Sequence, residues 1–286
     1  MKQQYSQLLA TIPKPFVKWA GGKRQLIVEL EKNLPKKFNT YFEPFLGGGA
    51  LLFHLLNQNL SLKCNVSDLN SDLILAYIAI RDKVEHLIES LERHSGRYFA
   101  DQREYYYSVR ESAPKNQIEK VSRLLFLNKT CFNGLYRVNS KGQFNVPLGR
   151  YTNPSIVNKE NLLAVSKILQ SKNISIRCQD FASILDEAKK DDLVYFDPPY
   201  QPVSKTANFT SYTKCEFSYD DLKRLAKLCE KLDAKGCKVL LSNSNTKEVR
   251  KLFSSHWRIV EIAANRAINS NSKKRTGHTE LFIKNY

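Results

Sequence analysis

No two of the six cysteines stand in a CxxC spacing, and the five histidines form no HExxH or other paired arrangement. Neither a zinc clip nor a compact disulfide framework is therefore encoded, and no metal is expected. Cys64, Cys131, Cys178, Cys215, Cys229 and Cys237 read as reduced core residues. The opening MKQQYSQLLATIPKP lacks the apolar stretch of a signal peptide, and no run approaches the roughly 18 apolar residues that span a bilayer. The expected location is the cytoplasm, with no membrane partner. Internal repeats and long low-complexity segments are absent as well. Acidic side chains are scarce: 28 Asp plus Glu against 45 Lys plus Arg leave a net charge of +17. Such a charge attracts polyanions, so nucleic acid is the first suspect, with lysine-rich solvated faces as the plain alternative.

The chain of 286 residues is 42% hydrophobic, ample for a packed interior. Short β-branched and aromatic runs alternate with helical patterns. TYFEPF (40–45) reads as a strand, LGGGA as a turn, and LLFHLLNQN as a helix packed on a sheet. KCNVSD ends a second strand at Asp68; helical patterns follow from about Ser71 to Glu92 and from Ile118 to Cys131. Strands resume at ISIRCQ (174–179), DLVYFD (192–197) and KVLLSN (238–243), and DDLKRLAKLCEKLDAKG places Gly236 at a helix C′ position. WRIVEIAA and TELFIKNY fit a terminal antiparallel pair. The expected fold class is α/β: a Rossmann-like doubly wound sheet ending in an antiparallel hairpin, formed by residues 1–70 and 158–286, and a mainly helical insertion over 71–157.

Residues 115–160 hold eight basic side chains (Lys115, Lys120, Arg123, Lys129, Arg137, Lys141, Arg150, Lys159) against Glu119 and Glu160. Within them, KTCFNGLYRVNSKGQFNVPLGRY (129–151) mixes aromatics, asparagines and turn glycines. Phosphate contact, base-edge contact and stacking together require that mixture. A hairpin is expected near 133–151; a basic hairpin on a solvated face is the plain reading of the same residues.

In EPFLGGGALLF, Gly47, Gly48 and Gly49 sit where a strand turns into a helix, so backbone N–H groups can approach a ligand closely. Asp68 ends the next strand about twenty residues on, the offset at which a carboxylate accepts from both hydroxyls of a ribose. Leu52 stands where the dinucleotide fingerprint has its third glycine, which argues against a dehydrogenase. AGGKRQ is not a phosphate-binding P-loop, because Val17 replaces its first glycine and Arg24 its Ser or Thr.

FDPPY (196–200) ends a buried strand on Asp197. Pro198 and Pro199 then fix φ near −65° and remove two backbone donors, so the turn is stiff and presents only acceptors. Such a turn suits a ligand that donates. An exocyclic amino group could give one hydrogen to the Asp197 carboxylate and one to the Pro198 carbonyl, leaving its nitrogen lone pair nucleophilic, with Tyr200 placed to stack on the base. The catalytic candidates are Asp197, Pro198, Pro199 and Tyr200. An N-cap Asp followed by Pro at N1 is the purely local alternative.

KPFVKWAGGKRQL (14–26), EPFLGGG (43–49), SDLN (67–70), NGLYRVNSKGQFNVPLGRY (133–151), FDPPY (196–200) and TANFTSY (206–212) resemble the adenine-N6 DNA methyltransferases of the Dam group. Their order, cofactor loop, recognition insert, DPPY, is that of the family's alpha class, and the resemblance covers nearly the whole chain. It implies that 1–70 and 158–286 form an S-adenosylmethionine-binding catalytic domain and 71–157 a target recognition domain whose hairpin enters the major groove of double-stranded DNA. Trp19 and Lys23 resemble residues bordering the cofactor pocket; Glu43, Pro44, Phe45, Gly47 and Gly49 its floor; Asp68 the ribose-holding acid; and Asp197 a group that reaches both cofactor and base. Phe132 and Asn133 match positions that fill the gap left by a flipped adenine. The aromatic there in Dam is usually tyrosine, so Phe132 keeps the stacking and loses the hydroxyl. Leu135, Arg137, Pro147 and Arg150 match base-reading positions, Lys18 a further contact, and Asn139 belongs to the same DNA-binding set.

Two arginines that can each grip guanine O6 and N7 suit a site with G on each strand, and GATC meets that demand. The activity so implied is methyl transfer to N6 of adenine in GATC. A restriction endonuclease that cuts the same site without stable contact is left open as a partner. Also open are a longer site such as GATATC, a non-catalytic DNA-binding module, N4 of cytosine (for which Ser more often replaces the Asp) and RNA. The tail NRAINSNSKKRTGH (265–278) is polar and basic, with phosphate contact and plain solvation both open.

Overall fold

A computed structural model describes residues 11–19, 21–200, 217–253, 256–264 and 278–286. TANFTSY (206–212), Cys215, the first ten residues and nearly all of the 265–278 tail lie outside them.

Seven strands form one sheet: β1 (Thr40–Glu43), β2 (Lys63–Asp68), β3 (Ile174–Cys178), β4 (Leu193–Phe196), β5 (Lys238–Ser244), β6 (Arg258–Ala264) and β7 (His278–Lys284). Their spatial order is β3-β2-β1-β4-β5-β7-β6. The first five run parallel, while β7 pairs antiparallel with both β5 and β6. The expected mixed α/β sheet with its antiparallel end is present. The central strand β4 is buried at every position, which is why it reads as a continuous apolar run, since a parallel sheet is covered on both faces.

Alternating strand residues build two cores. Tyr41, Leu193, Tyr195, Leu240 and Phe282 join one cluster; Phe42, Val194, Phe196, Val239, Leu241, Leu281 and Ile283 join the other. The helices are α1 (Ile27–Asn33), α2 (Ala50–Gln58), α3 (Ser71–Ala100), α4 (Gln102–Glu111), α5 (Gln117–Thr130), α6 (Lys159–Leu169), α7 (Tyr219–Ala234) and α8 (Lys247–Leu252). Helices α2, α3, α5 and α6 contribute to the first cluster. Helix α7 buries Leu222, Leu225, Ala226, Cys229 and Leu232 in the second, the i, i+3, i+4 spacing of a one-sided helix. A Ser218–Asp221 capping box opens α7. Gly236 (φ +77°) closes it: its N–H reaches the Asp233 carbonyl at 2.8 Å and the Cys237 N–H the Leu232 carbonyl at 3.0 Å, a Schellman end.

Helix α3 is longer than its expected end at Glu92, because buried Tyr98 continues the apolar stripe past Gly96. It breaks its geometry at Lys83 (φ −144°, ψ 41°). Before the break it serves the sheet, with Tyr77 donating to the Gly47 carbonyl at 3.0 Å; α4 and α5 pack against the helix further along the chain. The helical middle of the chain therefore shares the first sheet core instead of forming its own. Helix α4, which has no strong apolar run, starts on an Asp101 side chain that accepts from Glu104 N.

Residues 131–149 fold back antiparallel, held by two isolated bridges, Cys131 to Leu148 and Val138 to Phe144, with no continuous ladder. The left-handed Asn133 (φ 56°) and Gly134 (φ 65°) and the missing Pro147 donor interrupt regular pairing. Of the described cysteines, Cys64, Cys131, Cys229 and Cys237 are free and buried, as expected; Cys178 is exposed at the edge strand β3, contrary to the core reading.

Candidate active site

The strand order reverses between β1 and β4, and ligands of open α/β sheets bind outside the carboxyl ends at that point. Glu43 through Gly49 leave β1 there, and Asp197 through Tyr200 leave β4. The glycine loop is pinned from several directions. Leu46 N–H donates to the Ser67 carbonyl (2.9 Å), Gly49 N–H to the Leu46 carbonyl (2.8 Å), and Gly47 N–H to Asp68 Oδ2 (2.9 Å). Gly47 and Gly49 take φ of +48° and +69°, which a side chain would resist. A Cβ on Gly49 would lie 2.6 Å from the Tyr77 hydroxyl. Asp68 therefore has a structural duty besides any ligand: its Oδ1 also accepts from Asn70 N–H at 2.9 Å. Burial raises its pKa while these backbone donors oppose the rise. The carboxylate has about four lone-pair sites, more than the backbone donors Asn70, Gly47 and Leu69 that face it.

Glu43 is buried, and its Oε2 has no hydrogen-bond partner among the described residues. Burial above all, with the charges of Asp197 and Asp68, pushes its pKa well up. Pro44 is buried beside it, and Phe45 stacks on Phe181 at 5.3 Å, with Phe217 edge-on at 5.8 Å. Phe181 follows the carboxyl end of β3, and no sequence motif had marked it.

Lys23, only 4% exposed, is the centre of the β4 turn. Its Nζ lies 2.7 Å from Asp197 Oδ1, 2.9 Å from the Gly21 carbonyl it donates to, and 3.7 Å from Glu280 Oε2. It also sits over the Tyr200 ring, 4.6 Å from the centroid, while the Tyr200 hydroxyl donates to Glu280 Oε2 at 2.7 Å. Burial raises Asp197 to a pKa of about 6; Lys23 pulls it down and Glu280 pushes it up. Pro198 is buried and Pro199 exposed. Tyr200, expected to face a base, thus has its hydroxyl fixed from behind by Glu280. Glu280 went unmarked in the sequence, although an acid alternating with apolar residues on a closing strand was the available signal.

Trp19 links the glycine loop to the loop that follows α5. Its Cδ1 would lie 3.1 Å from a Cβ on Gly47, and its ring stacks on Tyr136 at 5.1 Å. Asn128 makes a second link. Its amide accepts from Lys18 N–H (2.9 Å) and donates to the Lys18 carbonyl (2.8 Å) and the Gly134 carbonyl (3.0 Å). Lys18 Nζ extends to the Tyr151 hydroxyl at 3.4 Å.

At the loop surface, Phe132 is 45% exposed and Asn133 and Pro147 are exposed; Leu135 is half-buried. Arg137 donates through Nε to Asn145 Oδ1 (2.8 Å) and through Nη2 to the Asn145 carbonyl (3.3 Å), so its guanidinium is aimed by a neighbour. Arg150 is exposed, without an ion pair or side-chain hydrogen bond among the described residues. Asn139 Oδ1 accepts from Lys141 N–H (3.0 Å) and Gln143 N–H (2.9 Å), which closes the loop tip. Among the described residues no cluster of His, Cys, Asp and Glu is arranged to hold a metal, and no helix is long and apolar enough to cross a membrane.

Residues 19–268 match the family described as D12 class N6 adenine-specific DNA methyltransferase. The chain belongs to that family. The type II methyltransferase M.MjaIII of Methanocaldococcus jannaschii is 46% identical to this methyltransferase, over 96% of this chain and 99% of its own. The type II methyltransferase M1.LlaDCHI of Lactococcus lactis subsp. cremoris is 44% identical, over 96% and 95%. The DNA adenine methylase of Haemophilus influenzae is 34% identical, over 94% and 92%. A D12 enzyme uses a methyl donor and a DNA substrate, and three features meet at the carboxyl ends of β1 and β4: a glycine loop held by Asp68, a buried Glu43 oxygen without a hydrogen-bond partner among the described residues, and a two-proline turn without backbone donors.

Proposed function

We propose that this methyltransferase moves the methyl group of S-adenosylmethionine to N6 of an adenine flipped out of double-stranded DNA, within GATC. The Lys23–Asp197 contact at the FDPPY turn carries the reading. Lys23 takes Oδ1 of Asp197, and the two prolines supply no backbone donor to compete for the other oxygen. Asp197 Oδ2 and the Pro198 carbonyl then hold the two hydrogens of the amine, which draws the nitrogen lone pair out of the ring and aims it. Tyr200 stacks on the base, its ring set by Glu280 and Lys23.

Glu43, Pro44, Phe45, Gly47, Gly49, Asp68 and Trp19 would hold the cofactor, which when bound supplies an electrophilic sulfonium methyl. Holding two reactants in line is worth roughly 7–11 kcal/mol in favourable cases. Above about pH 6 Asp197 is a carboxylate and accepts; below it the acceptor is lost, so activity rises with pH through that value.

We assign the target recognition role to residues 71–157, with sheet domain 1–70 and 158–286. Phe132 and Asn133 occupy the gap left by the adenine. Leu135, Arg137, Pro147, Arg150 and Lys18 read or grip the site, and the net charge of +17 draws in the phosphates. Two relatives are named type II methyltransferases, which supports a restriction endonuclease acting on the same site without stable contact. The cytoplasm is the compartment this role requires.

Incubating purified protein with S-adenosylmethionine and unmethylated DNA, then mapping modified adenines, tests the reading. Modification confined to GATC is expected. A longer consensus would overturn the site, and no modified adenine would overturn the activity. Asp197→Ala that still methylates at the wild-type rate would refute the role given to Asp197.

A further inference from the structure

Three chain segments converge on Tyr200. Lys23 comes from the turn that precedes α1, Tyr200 from the turn after β4, and Glu280 from the closing strand β7. Glu280 lies beyond the 19–268 match and in none of the motifs that carried the resemblance. It shares the face of β7 with Phe282, which packs in the first sheet core, and its carboxylate, 13% exposed, meets Lys23 and the Tyr200 hydroxyl. A tyrosine on a proline-led turn can swing about two χ angles; a hydroxyl held at 2.7 Å by a carboxylate on a sheet strand cannot.

We infer that Glu280 is a positioning residue for methyl transfer: it holds the Tyr200 ring in stacking orientation and shares the Lys23 ammonium with Asp197. The inference rests on the adenine-methylating reading above. It gives Glu280 two separable effects. One is geometric and runs through the Tyr200 hydroxyl. The other is electrostatic: a second negative charge 3.7 Å from Lys23 weakens the hold of that cation on Asp197. The charged and titratable groups facing this spot are Lys23 from its turn, Asp197 and Tyr200 from the β4 turn, Tyr195 from β4, Glu43 from β1 and Glu280 itself.

The two effects are separated by Glu280→Gln, Glu280→Ala and Tyr200→Phe in the full chain. Steady-state methylation of a duplex is measured from pH 5 to 9, with circular dichroism confirming the fold. Glu280→Gln keeps an acceptor for the tyrosine but removes the charge, so the acid limb of kcat/KM is expected to move to lower pH while the plateau stays within about threefold of wild type. Glu280→Ala removes both and is expected to lower the plateau by about tenfold. Once Tyr200→Phe has removed the hydroxyl, adding Glu280→Ala should cost much less than tenfold, because contacting residues are not additive.

An acid limb in Glu280→Gln superimposed on the wild type, or fully multiplicative effects of Glu280→Ala and Tyr200→Phe, would overturn the inference. If Glu280→Ala does not fold, the Gln variant alone decides through its pH limb. Wild-type protein that modifies no adenine would instead remove the methyl-transfer reading itself.

Discussion

Replacing Asp197 with Asn should destroy methylation and, at neutral pH, make the protein more stable. Asp197 titrates near 6 in the folded protein against an ordinary value of 3.8, because burial disfavours the carboxylate more than Lys23 at 2.7 Å favours it. At about 1.4 kcal/mol per unit, ionising it costs the folded state about 3 kcal/mol more than the unfolded chain. Between the two values the folded state holds more protons than the unfolded one, so this group's contribution to stability falls as pH rises from about 4 to about 6 and is flat beyond. Asn imitates the protonated acid and has no such dependence. The stability gain of Asp197→Asn over wild type should therefore be about 1 kcal/mol near pH 4.5 and about 3 kcal/mol near pH 7.5. Other titrating groups largely cancel in the comparison. Urea unfolding of both proteins at several pH values reads the difference directly. A gain that does not change with pH, or a wild type more stable at pH 7.5, would refute the electrostatic account. The expected sign is that of an active site carrying strain for function.

Gly49→Ala forces a side chain into φ +69° and a Cβ to 2.6 Å from the Tyr77 hydroxyl, and should cost about 2–4 kcal/mol in urea unfolding, with weaker binding of the methyl donor by calorimetry. Asn128→Ala leaves the buried Gly134 carbonyl and two part-buried backbone groups of Lys18 without partners; a loss of about 1–3 kcal/mol is expected, and DNA affinity measured by anisotropy should fall with it. Asn145→Ala releases the Arg137 guanidinium, and discrimination at one base of the site should drop by about 1–3 kcal/mol while non-specific binding is unchanged, read from kcat/KM on substituted duplexes. A uniform loss across all sequences would make Arg137 a phosphate contact.

Much of this protein is legible in its sequence. The strand runs at 40–45, 63–68, 174–179, 192–197 and 238–243 are in place; at β4 and β5 the reason is that parallel strands covered on both faces must be apolar, and that requirement leaves a local mark. Gly236 ends α7 where its missing Cβ said it would. Helix α4 left a fainter mark, because its stability comes from packing Tyr106 and Val109 and not from a long apolar stripe. The loop after Cys131 carries hairpin chemistry at its Asn139–Gln143 tip, yet its two bridges never extend into a ladder.

The site divides along the same line. Glycines that need positive φ, prolines that withdraw donors and an acid at a strand end are local chemistry, so EPFLGGG, Asp68 and FDPPY could be found by reading along the chain. Sequence by itself therefore determined the fold class, a stiff turn without backbone donors and a basic stretch over 115–160. What only the tertiary structure decided is which side chain answers which: Lys23 between Asp197 and Glu280, Tyr200 on Glu280, Asn128 on the backbone of Lys18. Those partners lie in separate segments that meet only when the sheet assembles in the order β3-β2-β1-β4-β5-β7-β6. A hydrogen bond or ion pair across such distances imposes no spacing on the sequence, and only the folded sheet shows it.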